Sequence, residues 1–315
     1  MKLIIQIPCL NEEKSLPITL KQLPREISGI DTIEVLIIND GSSDDTVKVA
    51  KEMGVDHIVN FSSRQGLAKA FSAGIDKCLQ LGADIIVNTD ADNQYVGEDI
   101  AKLVRPILEG QADMVVGERD IEHIEHFSFV KKKLQRFGSC IIRLASGVDI
   151  RDATSGFRAY NREASMKLNV LSGFSYTLET IIQASRKNIT IAHVPIRTNP
   201  KLRESRLFSN MTEYLAASIL TILKILMVYR PLGVFLWIGG FIGFCGTVLC
   251  VRFLYFYFTM GGIGHIQSLI LAAILLTISF QVVILGLLAS LIGSNRFFIE
   301  DVLFRIKKME HSSKK

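Results

Sequence analysis

Two stretches near the C-terminal end constrain this chain more than anything else in it. No charged residue occurs from Leu232 to Val251, Arg252 only interrupts an apolar run that continues to Met260, and none occurs from Ile266 to Ile292. A helix needs about 20 apolar residues to cross the hydrocarbon core of a bilayer. Buried helices of water-soluble proteins are usually shorter and seldom come as an adjacent pair of this length. Both runs therefore read as transmembrane helices, at about 232–260 and 266–292. Apolar residues make up 49% of the 315-residue chain, and they are concentrated there.

The charges around the runs orient them. Residues 196–230 hold six Lys or Arg, residues 294–315 hold six more, and the connecting stretch 253–268 holds none. Positive charge gathers on the cytoplasmic side of a membrane. Both termini and everything before the first span are thus expected in the cytoplasm, with the chain crossing an inner or cytoplasmic membrane twice. Met1–Leu10 is apolar but gives way at once to Asn11, Glu12, Glu13 and Lys14, with no small-residue cleavage site. A buried first strand fits it better than a signal peptide. Ser209–Tyr229 has a helical pattern in which Ser218, Thr221 and Lys224 form one narrow polar stripe, as expected of a helix in the membrane interface. The resulting organisation is a first domain over 1–208, an interfacial helix over 209–230, two spans within 231–293 and a basic cytoplasmic tail over 294–315. Arg252 lies near the far end of its helix, where it can snorkel to headgroups. Trp237, the only tryptophan, reads as an interfacial anchor. The five cysteines form no CxxC pair and read as reduced, packed thiols. The net charge of +5 collects near the membrane, where it can meet anionic lipid. No nucleic-acid-binding motif is visible, so no nucleic-acid partner is expected.

The first 200 residues alternate short apolar runs with amphipathic stretches. Strands are expected at Leu3–Ile7, Val35–Asn39, His57–Asn60, Asp84–Asn88, Met114–Gly117 and Thr190–Pro195. Helices are expected at Leu16–Ile27, from Asp44 or Asp45 through Met53, and at Leu67–Leu81, Glu98–Glu109, Lys132–Ala145 and Thr177–Lys187. Residues 120–131 read as a loop over the site, and Glu122–His126 lacks the spacing of a zinc helix. Strands and helices alternating at this spacing indicate an α/β, mostly parallel sheet with helices on both faces. Ligands of such sheets bind beyond the carboxyl ends of the strands. Asn11-Glu12, Asp40-Gly41 and Asp90-Ala91-Asp92 all fall at such ends.

Two carboxylates spaced as Asp90 and Asp92 can share a hard divalent cation, with Gln94 adding a neutral oxygen. Mg²⁺ commonly keeps positions open for substrate phosphates. Asp40 can accept hydrogen bonds from a nucleobase or ribose, or cap the helix that follows.

Five motifs stand in order: Pro8-Cys9-Leu10-Asn11-Glu12, Asn39-Asp40-Gly41-Ser42-Ser43-Asp44, Arg64-Gln65-Gly66-Leu67, Asp90-Ala91-Asp92-Asn93-Gln94 and Asp152-Ala153-Thr154-Ser155-Gly156-Phe157-Arg158. Together they resemble family-two glycosyltransferases of the GT-A, Rossmann-like fold. The branch most resembled holds dolichyl-phosphate mannose synthase and the bacterial polyprenyl-phosphate glycosyltransferases. The resemblance implies that Pro8, Asn11, Glu12, Asp40 and Gly66 contact the donor nucleotide, UDP- or GDP-linked. It implies that Asp90, Asp92 and Gln94 hold Mg²⁺ or Mn²⁺, and that Arg119, Lys131, Lys132, Lys133 and Arg136 receive the phosphate of a polyprenyl (undecaprenyl or dolichyl) acceptor. Asp152 would border that acceptor site, as a base or only as a shaping residue. Asn39 stands where many members have Asp, and the lysine run stands where relatives often place Arg, which weakens bidentate phosphate recognition there. The implied activity is transfer of one sugar, with inversion, to the lipid phosphate. A homo-oligomer packed through the spans is expected by analogy. A processive polysaccharide synthase would need a Gln-x-x-Arg-Trp motif, absent here since the single tryptophan is Trp237. A non-catalytic membrane subunit would have no need of the intact Asp90-Ala91-Asp92.

Overall fold

The computed structural model describes residues 1–119, 152–170, 176–200, 226–227, 230–261 and 266–312. The chain divides into two compact units, residues 1–219 with 302–315 and residues 220–301.

In the first unit seven strands form one sheet: β1 (Lys2–Cys9), β2 (Thr32–Asn39), β3 (His57–Asn60), β4 (Ile85–Asn88), β5 (Met114–Arg119), β6 (Arg158–Asn161) and β7 (Ile191–Ile196). Their spatial order is β3-β2-β1-β4-β6-β5-β7. The helices are α1 (Leu16–Gln22), α2 (Thr46–Glu52), α3 (Leu67–Gln80), α4 (Ile100–Leu108, entered through a 3₁₀ turn at Gly97–Asp99), α5 (Arg162–Lys167) and α6 (Tyr176–Arg186). Leu3, Ile4, Ile5 and Ile7 have no exposed surface. Such a continuous apolar run is what a central strand covered on both faces requires. Pro8 is tolerated at its end. The carbonyl of Gln6 faces β4 and pairing with β4 stops at Gln6–Asn88, so the missing N–H of Pro8, two residues on, opens no ladder bond.

β1, β2, β3 and β4 run parallel, as expected, and β5 runs parallel to β7. β6 is the departure. It runs antiparallel between β4 and β5, with Arg158 opposite both Asn88 and Val116. Neither β6 nor α5 is expected from the sequence. The residues of β6, Arg-Ala-Tyr-Asn, show no apolar alternation, and a charged first residue suggests solvent. Arg158 is instead fully buried. Its Nε donates to the Ser155 carbonyl (2.7 Å), Nη2 to that of Ala153 (2.8 Å), and Nη1 to the Thr177 carbonyl and Thr180 Oγ1 (both 2.7 Å). Because β6 is reversed, its entry turn lies at the same sheet edge as the exits of β4 and β5.

Two helix ends also differ. α1 stops at Gln22 and not Ile27, because Pro24 forces Leu23 out of the helical region (φ −67°, ψ 139°). The helix expected from Glu98 begins as the 3₁₀ turn. The expected helices at 132–145 and 209–229, and the loop at 120–131, lie outside the described residues, apart from the helical pair 226–227.

The second unit holds α7 (Pro231–Met260) and most of α8 (Ile266–Ser312). Both are long and apolar enough to cross a membrane. α8 does not end where the charge-free run ends. No proline follows, and Arg296 bridges Glu300 one turn on (2.9 Å), so the helix continues through the basic segment. Lipid offers no hydrophobic drive for helix pairing, so small residues must let the backbones approach. A Cβ on Gly239 would stand 2.9 Å from Val283, one on Gly243 2.7 Å from Ser279 Oγ, and one on Gly286 2.6 Å from Phe235. Ser279 Oγ adds a hydrogen bond to the Gly239 carbonyl (2.8 Å). Gly240, by contrast, faces open space. Overpacking costs about 1–3 kcal/mol, so Gly239→Leu is expected to lower the thermal midpoint in detergent or nanodiscs while Gly240→Leu leaves it unchanged; equal midpoints for the two variants would refute this packing.

Candidate active site

Loops at the exits of β1, β2, β3 and β4 meet the turn entering β6. Asn11, just past β1, has a left-handed backbone (φ 57°). Its N–H donates to Ser42 Oγ (2.9 Å), and its Oδ1 accepts from the Ser43 N–H (2.8 Å). The Glu12 N–H donates to Thr46 Oγ1 (2.8 Å), and its buried carboxylate accepts from the Ser15 hydroxyl. The first two loops are thereby stitched together. Asp40 ties in the third: its Oδ1 accepts from the Gln65 N–H (2.6 Å) and its Oδ2 from the Gly66 N–H (2.9 Å). Gly41 permits this crossing. It has φ +72°, and a Cβ there would lie 2.6 Å from the Ser63 carbonyl carbon. Asn39 bonds Asn60 and takes the Ser42 N–H (3.0 Å). Asn11, Glu12, Asp40 and Gly66 thus share one wall of adjoining loops, with Pro8 at the end of the strand beneath. The Asp40 carboxylate builds that wall through backbone amides.

Asp90 and Asp92 sit on the turn after β4. The Asp92 carboxylate accepts from the Gln94 N–H (3.1 Å), and the Gln94 carbonyl accepts from the Asn199 N–H (2.9 Å). The turn is braced by Thr19 Oγ1, which donates to the Ala91 carbonyl (3.0 Å), and by Asn199 Nδ2, which donates to that of Asn93 (3.1 Å). Enclosure by protein, and then repulsion from Asp92, push the Asp90 carboxyl up to about 7; Arg119 and the Tyr95 hydroxyl pull the other way. Among the described residues no group of three His, Cys, Asp or Glu side chains forms a metal cage.

Arg119 ends β5 and faces Asp152. The pair is bidentate, Nε to Oδ2 at 2.7 Å and Nη2 to Oδ1 at 2.9 Å, and Nη2 also reaches Thr154 Oγ1 (2.8 Å). Burial opposes both charges. For Asp152 the guanidinium outweighs burial and holds the carboxyl below the usual carboxylate range, while Tyr95, Asp152 and Asp90 together keep Arg119 cationic. Arg119, expected to receive a phosphate, therefore spends two donors on Asp152. Lys131, Lys132, Lys133 and Arg136 lie outside the described residues. The structure also adds Asn88, Tyr95 and Tyr176, which with Gly156 of the fifth motif gather beside Asp90. Nothing in a linear pattern marks the three, since their roles arise from β6 lying beside β4.

The pattern of Glycosyl transferase family 2 matches residues 4–168, and the chain belongs to that family. It is 31% identical over 217 residues to the UDP-N-acetylglucosamine–dolichyl-phosphate N-acetylglucosaminyltransferase of Methanococcus voltae, covering 61% of this chain and 83% of that one. It is 27% identical over 328 residues to the undecaprenyl-phosphate 4-deoxy-4-formamido-L-arabinose transferase of Photorhabdus laumondii, covering 96% and 94%. The glucosyl-3-phosphoglycerate synthase of Mycobacterium tuberculosis, solved with Mn²⁺ and UDP, shares the fold with a TM-score of 0.55 at 20% identity, over 72% of this chain and 78% of that one. The fold is GT-A, and the protein is a glycosyltransferase.

The raised Asp90 carboxyl has a consequence for stability. Its ordinary value is about 3.9. Between there and about 7 the folded chain keeps a proton that the unfolded chain releases, so this group's contribution to stability falls as pH rises through that window. In chelator, Asp90→Asn is expected to melt several degrees above the wild type at about pH 8 and to lose that advantage at about pH 4, where the wild-type carboxyl is protonated. A melting difference independent of pH would contradict the assignment.

Proposed function

We propose that this chain is a membrane-anchored, inverting transferase that moves one sugar from a nucleotide-diphosphate sugar to a polyprenyl phosphate. The observation that carries the reading is the meeting of the Asp90–Asp92 turn with the Arg119–Asp152 pair, in a chain that also bears two helices able to span a bilayer. Relatives named for dolichyl-phosphate and undecaprenyl-phosphate acceptors support it.

The residues present suit a divalent cation. Two hard carboxylates lie on one turn, and one of them is pushed up by burial and then by the other, a repulsion that a cation relieves. Two protein ligands with room for diphosphate oxygens and water is a habit of Mg²⁺ and related ions. Asp90 and Asp92 would hold Mg²⁺ or Mn²⁺, with Gln94 beside them. When bound, the ion supplies Lewis-acid neutralisation of the charge that builds on the leaving nucleoside diphosphate.

The chain's own groups do the rest. Pro8, Asn11, Glu12, Asp40 and Gly66 line the donor nucleotide, UDP or GDP. An oxygen of the lipid phosphate attacks the anomeric carbon as the bond from that carbon to the diphosphate oxygen breaks. A phosphate monoester is largely dianionic at pH 7, its second pKa being about 6, so no strong base is needed. That agrees with Asp152, whose lowered carboxyl makes it a poor base and a good partner for Arg119. Asp152 then shapes the acceptor side, where Arg119, Lys131, Lys132 and Arg136 offset the repulsion between the two phosphates. The domain limits follow the same reading: catalytic domain to 208, interfacial helix over 209–230, spans within 231–293 and a cytoplasmic basic segment over 294–315. Both termini and the catalytic domain face the cytoplasm. Self-association through the spans is part of the proposal.

Membranes carrying the protein, supplied with undecaprenyl phosphate, Mg²⁺ and a panel of radiolabelled UDP- and GDP-sugars, are expected to form one lipid-linked monosaccharide. Asp92→Ala is expected to reduce transfer by about 100-fold or more while the protein stays membrane-bound, and chelator to stop the wild type. Full turnover in excess chelator, or product longer than one sugar, would defeat the proposal.

A further inference from the structure

Gly156 stands at a junction between the acidic turn and the turn entering β6. Its N–H donates to the Tyr95 hydroxyl (3.1 Å), and its carbonyl accepts from Asn88 Nδ2 (2.8 Å). The same Asn88 nitrogen donates to the Tyr176 hydroxyl (3.0 Å), and Asn88 Oδ1 accepts from Gln6 Nε2 (2.9 Å). A Cβ on Gly156 would lie 2.7 Å from the Tyr176 hydroxyl and 3.1–3.2 Å from both Asp90 oxygens. The Tyr95 hydroxyl and the Asp90 carboxylate thus converge on one glycine.

Tyr95 has little freedom to do otherwise. It is buried, its ring stacks on Phe157 (centroids 4.9 Å apart, planes at 9°), and its backbone bridges Thr198. A phenol has one proton to give. Its oxygen already accepts from Gly156, which leaves its proton for the Asp90 carboxylate packed against the same glycine.

We propose that Tyr95 is a positioning residue: by accepting from Gly156 and donating to Asp90, its hydroxyl sets the spacing between the turn at 152–157 and the acid that faces the donor. The proposal rests on the transferase reading above. Reacting atoms must be held about 3–3.5 Å apart, and here they are presented by loops from different strands. One hydroxyl bonded to both loops transmits order from one to the other. Partners that orient a metal-binding carboxylate typically change metal affinity by about 10–100-fold when lost.

The test uses the full-length protein in nanodiscs. Mn²⁺ is titrated in the presence of excess UDP or GDP, followed by electron paramagnetic resonance. Tyr95→Phe keeps the stacked ring and removes one oxygen. It is expected to raise the Mn²⁺ dissociation constant about tenfold or more. Tyr160→Phe, an equally buried tyrosine packed edge-on to Phe71 (6.0 Å), is expected to leave it unchanged. Unaltered Mn²⁺ affinity in Tyr95→Phe, or the same loss in both variants, overturns the proposal. Hydrogen exchange of the wild type covers the case in which Tyr95→Phe does not fold. Mn²⁺ with nucleotide is expected to slow exchange in the peptide spanning 152–158, and unchanged exchange there overturns the coupling. A wild type that binds neither nucleotide with Mn²⁺ would overturn the transferase reading and this one together, whereas tight wild-type binding with an unaffected Tyr95→Phe overturns this one alone.

Discussion

A guanidinium without exposed surface organises the site. Arg158 satisfies itself on the carbonyls of Ala153, Ser155 and Thr177 and the hydroxyl of Thr180. Hydrogen bonds from a charged group contribute about 1.5–3 kcal/mol each, and a buried charge that lost them would cost more. The chain between Ala153 and Arg158 is therefore held as one rigid turn. Asp152 opens that turn and Gly156 sits inside it, so their distances from Arg119 and Asp90 follow from where Arg158 is anchored. A charged side chain without access to water is the bolt of the turn that carries Asp152 and Gly156.

The charge pattern that results is unbalanced by design of the fold. Among the described residues Asp90 and Asp152 both feel the Arg119 guanidinium, and Arg119 is committed to Asp152. Asp90 shares a half-buried turn with Asp92 and is forced toward its neutral form. A fold gains nothing in stability from such an arrangement, because both burial and like charge disfavour it. Like charge of this kind at a strand exit, beside two left-handed asparagines at positions 11 and 93, is a cost that folds keep mainly at functional sites.

The second unit is apolar enough to suit a different solvent. In the sheet domain large aliphatic side chains drive packing by leaving water. Between α7 and α8 the same side chains gain nothing over lipid, and contact is made where glycines remove bulk. Most of the large apolar residues of both helices point outward, including Trp237, Phe241, Phe258 and Leu291.

Much of this was legible in linear order. The sheet strands β1 to β5 and β7, the placement of the acids at strand ends and the two long apolar helices all follow from local periodicity and from charge, which act over a few residues. Pro24 shows the limit of periodicity, since one ring ended a helix that the apolar pattern would have carried on to Ile27. The reversed strand β6, the burial of Arg158, the Arg119–Asp152 pair and the convergence of Asn88, Tyr95 and Tyr176 on Gly156 were not legible. They join residues tens of positions apart, and a polar side chain looks the same in sequence whether water or a carbonyl satisfies it. Residue order alone decided which elements form and where acidity collects; three-dimensional packing decided which of those polar groups meet, because only there does burial compel each one to find a partner.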